Sequence, residues 1–156
     1  MSMSFDSLLS KYRLLCNQPI QYTPPTDGDV IVCESDLAIK FPRNYVRLLQ
    51  ETASAKIRFW DLLRIFRQSP PPGDPFDIVH VNRFNRKRGL PTHLIAFWSA
   101  GNGDFDCFDT SARTAESEWA VVSWSHDADP EDGVLSLHAS FADWLDDQIQ
   151  DRQPVE

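Results

Sequence analysis

Leu94-Ile-Ala-Phe-Trp98, Gly101-Asn-Gly-Asp104, Phe105-Asp-Cys-Phe-Asp109 and Trp119-Ala-Val-Val-Ser-Trp124 follow one another along the chain, and their reading decides the fold. Three of these pieces are rich in β-branched and aromatic residues, which suit a pleated, half-buried surface. Gly101-Asn-Gly103 tolerates positive φ, so Trp98 to Asp104 reads as a hairpin turn. Together they form the pattern of an antiparallel meander. Ser140 follows as an N-cap with Asp143 three residues on, like a capping box. Phe141, Trp144, Leu145 and Ile149 then share one face, so a helix over Phe141–Gln150 is expected to cover the sheet.

Upstream, Phe5, Leu8, Leu9, Tyr12 and Leu15 recur at helical spacing, with Ser4 or Asp6 near the start. Pro19 to Asp29 holds Pro24-Pro25 and Gly28 and reads as a loop, with room for an extended piece at Ile20–Tyr22. Val30 to Cys33 is a short apolar run, and Glu34 to Ile39 reads as a single helical turn. Phe41-Pro42 opens a helix over Arg43–Thr52, because proline loses nothing in a first turn. Lys56–Asp61 alternates as a strand. Asp74-Pro75 reads as an N-cap and first helical residue, and Gly89 as the matching C-cap. The β-branched Ile78, Val79 and Val81 between them favour strand; the agreement of both caps decides for helix. Thr110 to Glu118 reads as a polar connection, Asp127 to Gly133 as an acidic loop, and Leu135 and Leu137 as a further short strand. The fold class is α+β: a small twisted antiparallel sheet of Lys56–Asp61, Leu94–Trp98, Asp104–Asp109 and Trp119–Trp124, with N- and C-terminal helices packed on it.

The 156 residues suit one domain, 1–156, with a frayed tail from about Asp151. A content of 42% hydrophobic and 24% charged residues is that of a folded protein and argues against general disorder. No apolar run is long enough to span a bilayer. The first residues lack the basic region and apolar core of a signal peptide, so a cytoplasmic location is expected. Cys16, Cys33 and Cys107 form no Cys-x-x-Cys pair and read as buried free thiols. The net charge of −8 is unevenly placed. Up to Arg88 there are 13 Lys and Arg against 9 Asp and Glu, a net of +4; from Gly89 on there are 2 against 14, a net of −12.

No motif carries catalytic or metal chemistry well. Asp127-Ala-Asp-Pro-Glu-Asp-Gly133 alternates carboxylates as calcium loops do, but its sixth place is Asp132 and its twelfth His138, where an EF-hand needs Gly and Glu. Gly101-Asn-Gly103 lacks the third glycine and the following helix of a dinucleotide loop. Cys107, His126 and Asp127 contain the residue types of a nucleophile, base and orienter, yet Cys107 sits mid-strand between phenylalanines, as core cysteines do. Arg83, Arg86, Lys87 and Arg88 form a basic patch that a helix C-terminus favours by its dipole. Nucleic-acid binding wants a basic domain with interleaved aromatics, and this domain is acidic.

Several pieces resemble, in order, the core of the SMI1/KNR4 (SUKH) superfamily. They are Glu34-Ser-Asp-Leu-Ala-Ile-Lys-Phe-Pro-Arg-Asn-Tyr45, Leu94–Phe97, Gly103-Asp-Phe-Asp-Cys-Phe-Asp109, Val121-Val-Ser-Trp-Ser-His-Asp127 and Ser140-Phe-Ala-Asp-Trp-Leu145. The family often carries Asn-Gly-Gly after its first core helix, where this chain has Ala53-Ser-Ala55. The resemblance implies a non-enzymatic binding module without cofactor or metal. Its bacterial members look like immunity proteins that bind and neutralise a toxin, and its fungal members serve as interaction proteins in cell-wall regulation. The partner so implied is a protein, a basic toxin domain; neither nucleic acid nor membrane is expected. An acidic face of Asp104, Asp106, Asp127, Asp129, Glu131 and Asp132, with Trp98 as an apolar anchor, is the expected partner-binding set. An intracellular scaffold binding through Trp60 or Trp98 is the alternative.

Overall fold

The structure is a computed structural model that describes residues 4–16, 18–19, 23–52, 55–56, 61–66, 74–115, 118–127 and 134–152. The chain begins with α1 (Phe5–Leu15), capped by Ser4, whose hydroxyl accepts from the Ser7 N–H. A two-residue strand β1 (Gln18–Pro19) comes next, then α2 (Asp27–Leu37) and α3 (Arg43–Thr52). Strands β2 (Ala55–Lys56) and β3 (Asp61–Leu62) precede α4 (Ile78–Arg86). The meander follows as β4 (Leu94–Ser99), β5 (Phe105–Ala115), β6 (Glu118–Trp124) and β7 (Val134–His138), and α5 (Phe141–Arg152) closes the described chain. Strands β3 to β7 form one antiparallel sheet in sequence order, and β1 pairs with β2 in a separate two-stranded piece. The expected α+β class therefore holds.

The core lies between one face of this sheet and the helices α1, α3 and α5. Residues two apart on a strand share a face, which puts Asp106 and Phe108 of β5 on the same side. Phe108 stacks on Phe97 of β4 with centroids 4.2 Å apart and planes at 9°. Tyr45 of α3 meets Phe108 edge-on at 5.3 Å, and Phe141 of α5 meets Tyr45 at 5.6 Å. Trp144 closes the cluster at 4.7 Å from Phe97. Tyr45, Phe97, Phe108, Phe141 and Trp144 are each fully buried. Removing a ring such as these costs about 3–5 kcal/mol in a typical core. The Tyr45 hydroxyl is satisfied by donating to the Leu63 carbonyl at 2.7 Å.

Helix α4 sits elsewhere, against the β3–β4 edge. The backbone of Arg64 accepts from Ile78 N–H and donates to Phe76 C=O, which fixes the start of the helix. Further along, buried Asn82 turns its amide onto β4. Its Nδ2 donates to the Ala96 carbonyl at 3.0 Å and its Oδ1 accepts from the Ala96 N–H at 2.8 Å. One side chain thus pairs both backbone groups of one residue, as a neighbouring strand would. The β4–β5 register slips beside it, between Ala96 and Trp98. The helix ends where Leu90 N–H bonds Asn85 C=O and Gly89 takes φ +105, the glycine C-cap expected from sequence.

Several expectations are corrected. Where a loop to Asp29 and one turn from Glu34 were expected, α2 runs through both. Thr26 and Asp29 form a reciprocal capping box, each side chain accepting from the other's N–H. Val30, Cys33 and Leu37 then bury one stripe. Helix α4 starts at Ile78, not beside Pro75: Asp77 is the cap, and Asp74 instead closes a turn onto the Phe76 N–H. The expected strand Lys56–Asp61 has its two ends in different sheets, with 57–60 outside the described residues. The polar connection expected over Thr110 to Glu118 is largely strand, since β5 continues to Ala115 and β6 begins at Glu118. Ile20–Tyr22 lies outside the described residues. Leu135 and Leu137 do lie in a strand, β7, and both are exposed. No helix among the described residues is long and apolar enough to cross a membrane.

The Asn82 pairing yields a direct expectation. Asn82→Leu leaves the buried Ala96 N–H and C=O without this partner and should cost on the order of 3 kcal/mol. In urea unfolding the midpoint should fall with little change in slope. A loss under about 1 kcal/mol would show that water or a neighbour replaces the amide.

Candidate functional site

Of the expected acidic set, the described Asp104, Asp106 and Asp127 do not share one face, since Asp106 is buried. At one end of the sheet the β4–β5 turn meets the segment after β6. Gly101 and Gly103 take φ +89 and +94 there, as the sequence required. The His126 ring packs against Gly103: a Cβ at that position would stand 2.7 Å from it. Asp104 Oδ1 accepts from the His126 backbone N–H at 3.2 Å and lies 2.9 Å from its Nδ1. Asp127 Oδ1 lies 3.0 Å from Nε2 on the other side of the ring. The His126 hydrogen bond, chiefly, holds the Asp104 carboxyl below its ordinary value. Asp104 is therefore engaged in joining two loops, and Asp127, with 84% of its side chain exposed, remains open to a partner.

Asp106 points inward. It is 7% exposed and accepts from the Trp144 indole Nε1–H at 2.8 Å. Burial pushes its carboxyl up, against the opposing pull of the Trp144 bond. It shares its face with Phe108, so it supports α5 from below and presents no charge to a partner. Trp98 is half-buried against the core, with its ring 6.0 Å from Trp144. Its Nε1 is a buried donor without a hydrogen-bond partner among the described residues. Asp129, Glu131, Asp132 and Trp60 lie outside the described residues.

The structure adds a face that the loop-centred reading missed. With Phe141, Trp144, Leu145 and Ile149 of α5 turned inward, Asp143, Asp147 and Asp151 are left exposed and Asp146 half-exposed. Among the described residues none of these carboxylates pairs with Lys or Arg; Asp147 meets His138 at 3.1 Å and Asp146 accepts from Gln150. The signal was present, as the complement of the apolar stripe.

Two concavities lie on the surface of the described residues. A groove of about 580 Å³ runs between α2 and the sheet, lined by Ile31, Ala38, Ile39 and Trp119 among others. Trp119 is held there by donating its indole N–H to the Lys40 carbonyl at 2.8 Å. Ala38 ends α2 at φ 56, a left-handed conformation that suits glycine better. A smaller cleft of about 270 Å³ separates α4 from the β4–β5 hairpin.

The residues weighed for catalysis are not assembled. His126 and Asp127 touch, but Cys107 is fully buried with its Sγ toward the Phe105 carbonyl, and burial drives its thiol well above the usual range. No group of three or more His, Cys, Asp or Glu among the described residues is placed to hold a metal ion.

A family model described as SUKH_5 (SMI1-KNR4 cell-wall) matches residues 3–150. The chain belongs to the SMI1/KNR4 family. A crystal structure of a protein from Pseudomonas syringae pv. tomato superposes with a TM-score of 0.67 at 17% identity, covering 91% of this chain and 96% of that one. At that identity the likeness shows a shared fold alone. No curated protein matches the sequence.

The Asp106–Trp144 contact gives a pH test. A carboxyl raised by folding contributes its full stability below the unfolded value, near 3.9, and loses it as pH rises through the folded value. Asp106→Asn keeps an acceptor for the indole and carries no charge. It should be at least as stable as the parent at pH 7, with the difference vanishing below about pH 4. Asp106→Ala should cost about 1–3 kcal/mol, because it removes the acceptor. Thermal melts across this range decide; an Asn variant clearly weaker at pH 7 would mean that the fold uses the charge.

Proposed function

We propose that this protein is an immunity protein: it binds a cognate toxin and neutralises it by covering a basic surface. The observation that carries this reading is the outer face of α5. Asp143, Asp146, Asp147 and Asp151 are spaced so that like charges stand three and four residues apart, which weakens a helix. Asp151 also sits in the last turn, where the helix dipole disfavours anions. Asp143 is favoured in the first turn, Asp146 accepts from Gln150 and Asp147 meets His138, but no Lys or Arg among the described residues pairs with any of the four, whereas basic residues such as Arg47 are paired, here with both Asp6 and Glu51. A rigid acidic helix suits a cationic partner, raising its association rate by steering. Membership of the SMI1/KNR4 family, whose bacterial members resemble immunity proteins, supports the same reading, and exposed Asp127 extends the acidic surface.

The partner-binding set is accordingly Asp127, Asp143, Asp146, Asp147 and Asp151, with Asp129, Glu131 and Asp132 retained from the sequence. Mechanistically this is occlusion: the protein performs no chemistry and blocks access to a basic site. The second reading, an intracellular regulatory interaction protein, is favoured by the apolar groove beside Trp119 and Ile31. Binding there would depend little on salt.

The test is the triple variant Asp143→Lys, Asp147→Lys, Asp151→Lys against the product of a toxin-like reading frame encoded beside this gene. Association should slow by about tenfold or more and lose most of its salt dependence. Melting temperature should change little, because relief of repulsion is offset by a cation in the first turn and by loss of the Asp147–His138 contact. An unchanged association rate would sink the acidic-helix reading; loss of binding in Trp119→Ala instead would favour the groove.

A further inference from the structure

The basic patch at the end of α4 is not absorbed by this reading. Arg83, Phe84, Lys87 and Arg88 are all exposed, and Phe84 is 52% open to solvent. The Arg88 guanidinium lies over the Phe84 ring at 5.8 Å, and His80 stacks on that ring at 6.3 Å and 29°. Arg83 reaches Asp36 only at 3.8 Å, and neither Lys87 nor Arg88 has an ion-pair partner among the described residues. In a chain with 23 acidic and 15 basic residues, Lys87 and Arg88 thus stand without an ion-pair partner among the described residues, beside an exposed ring. The helix dipole accounts for cations in a last turn. It does not account for an exposed phenylalanine between them, nor for the cleft that Phe84 opens onto. That cleft, about 270 Å³, is walled by His80, Phe84 and Arg88 on one side and by Ser99, Gly103 and Phe105 on the other.

We infer that α4 and the β4–β5 hairpin form a second interaction surface, which takes a short acidic segment of a protein and seats one apolar side chain of it beside Phe84. Charge complementarity names the sign: Arg83, Lys87 and Arg88 meet carboxylates. The lining names the anchor, since Val81, Phe84 and Phe105 offer apolar contact to one aliphatic side chain. The setting favours a short peptide over nucleic acid. A polyanion with a phosphate at every step would extend past three cations into a domain of net charge −8, whereas two or three carboxylates end where the cations end. This surface lies on α4, apart from the α5 carboxylates, so it stands or falls independently of the immunity reading.

The probe is the synthetic peptide Asp-Glu-Leu-Glu-Asp, titrated into the isotope-labelled full chain and followed by amide chemical shifts. Saturable shifts confined to His80–Arg88 and Ser99–Phe105 are expected. Replacing the peptide's leucine with alanine should weaken binding about tenfold. Lys87→Glu with Arg88→Glu should abolish it while leaving all other resonances in place, and Phe84→Ala should weaken it about tenfold. The α5 lysine variant should bind the peptide no less tightly than the parent. Absence of saturable shifts at about 1 mM peptide, or shifts that survive the double charge reversal, would overturn the proposal. So would an oligothymidylate of equal charge binding at least as tightly.

Discussion

The amide of Asn82 is the constraint on which the arrangement depends. Strand β4 is paired along β5, but on its other side β3 and Leu63 reach it only at Phe97, Trp98 and Ser99. Ala96 would otherwise carry an unpaired N–H and C=O in the protein interior, and such groups cost about 1–3 kcal/mol each when left unmet. Asn82 meets both. The consequence is architectural: a helix can replace a strand at the edge of the sheet only if a side chain supplies a donor and an acceptor together, and asparagine does so from a helix interior. Asn82 also donates to the Ile78 carbonyl, so the same amide ties α4 to itself and to the sheet.

From this follows the division of labour across the fold. On one face, the ring cluster of Tyr45, Phe97, Phe108, Phe141 and Trp144 binds α3 and α5 to β4 and β5. At the edge, the Asn82 pairing and the backbone of Arg64 bind α4. Both helices with charged outer faces, α5 acidic and α4 basic, are thereby carried on one rigid sheet. A binding protein benefits from such a frame because little conformational freedom is lost on association. Asn82, Asp106 and the Tyr45 hydroxyl are buried in it, each satisfied, and they orient helices.

Much of this was legible in the residues. The meander, the Gly101 and Gly103 turn, the capped α5 and the Gly89 helix end all follow from local rules that tertiary packing left undisturbed. The misses have definite physical causes. Thr26 and Asp29 spell a capping box, but the prolines before them and the unbroken Val30–Cys33 run concealed the helical period. Asp106 belongs with the acidic face by charge, but strand alternation places it beside Phe108, and periodicity outranks charge there. The α5 carboxylates were equally readable as the complement of its buried stripe, and were passed over for the more conspicuous Asp127–Asp132 loop. Asn82 was not readable, because a buried asparagine in a helix gains its meaning only from the strand that chance of topology brings against it.

The most direct measurement is native-state hydrogen exchange at the Ala96 amide. If Asn82 holds α4 to the sheet as one body, this amide should exchange only through global unfolding, with the same free energy and denaturant dependence as the amides of Phe108 and Val121. Exchange by a separate local opening of markedly lower free energy would show that α4 leaves the sheet on its own. That result would contradict the single rigid frame on which both charged surfaces depend.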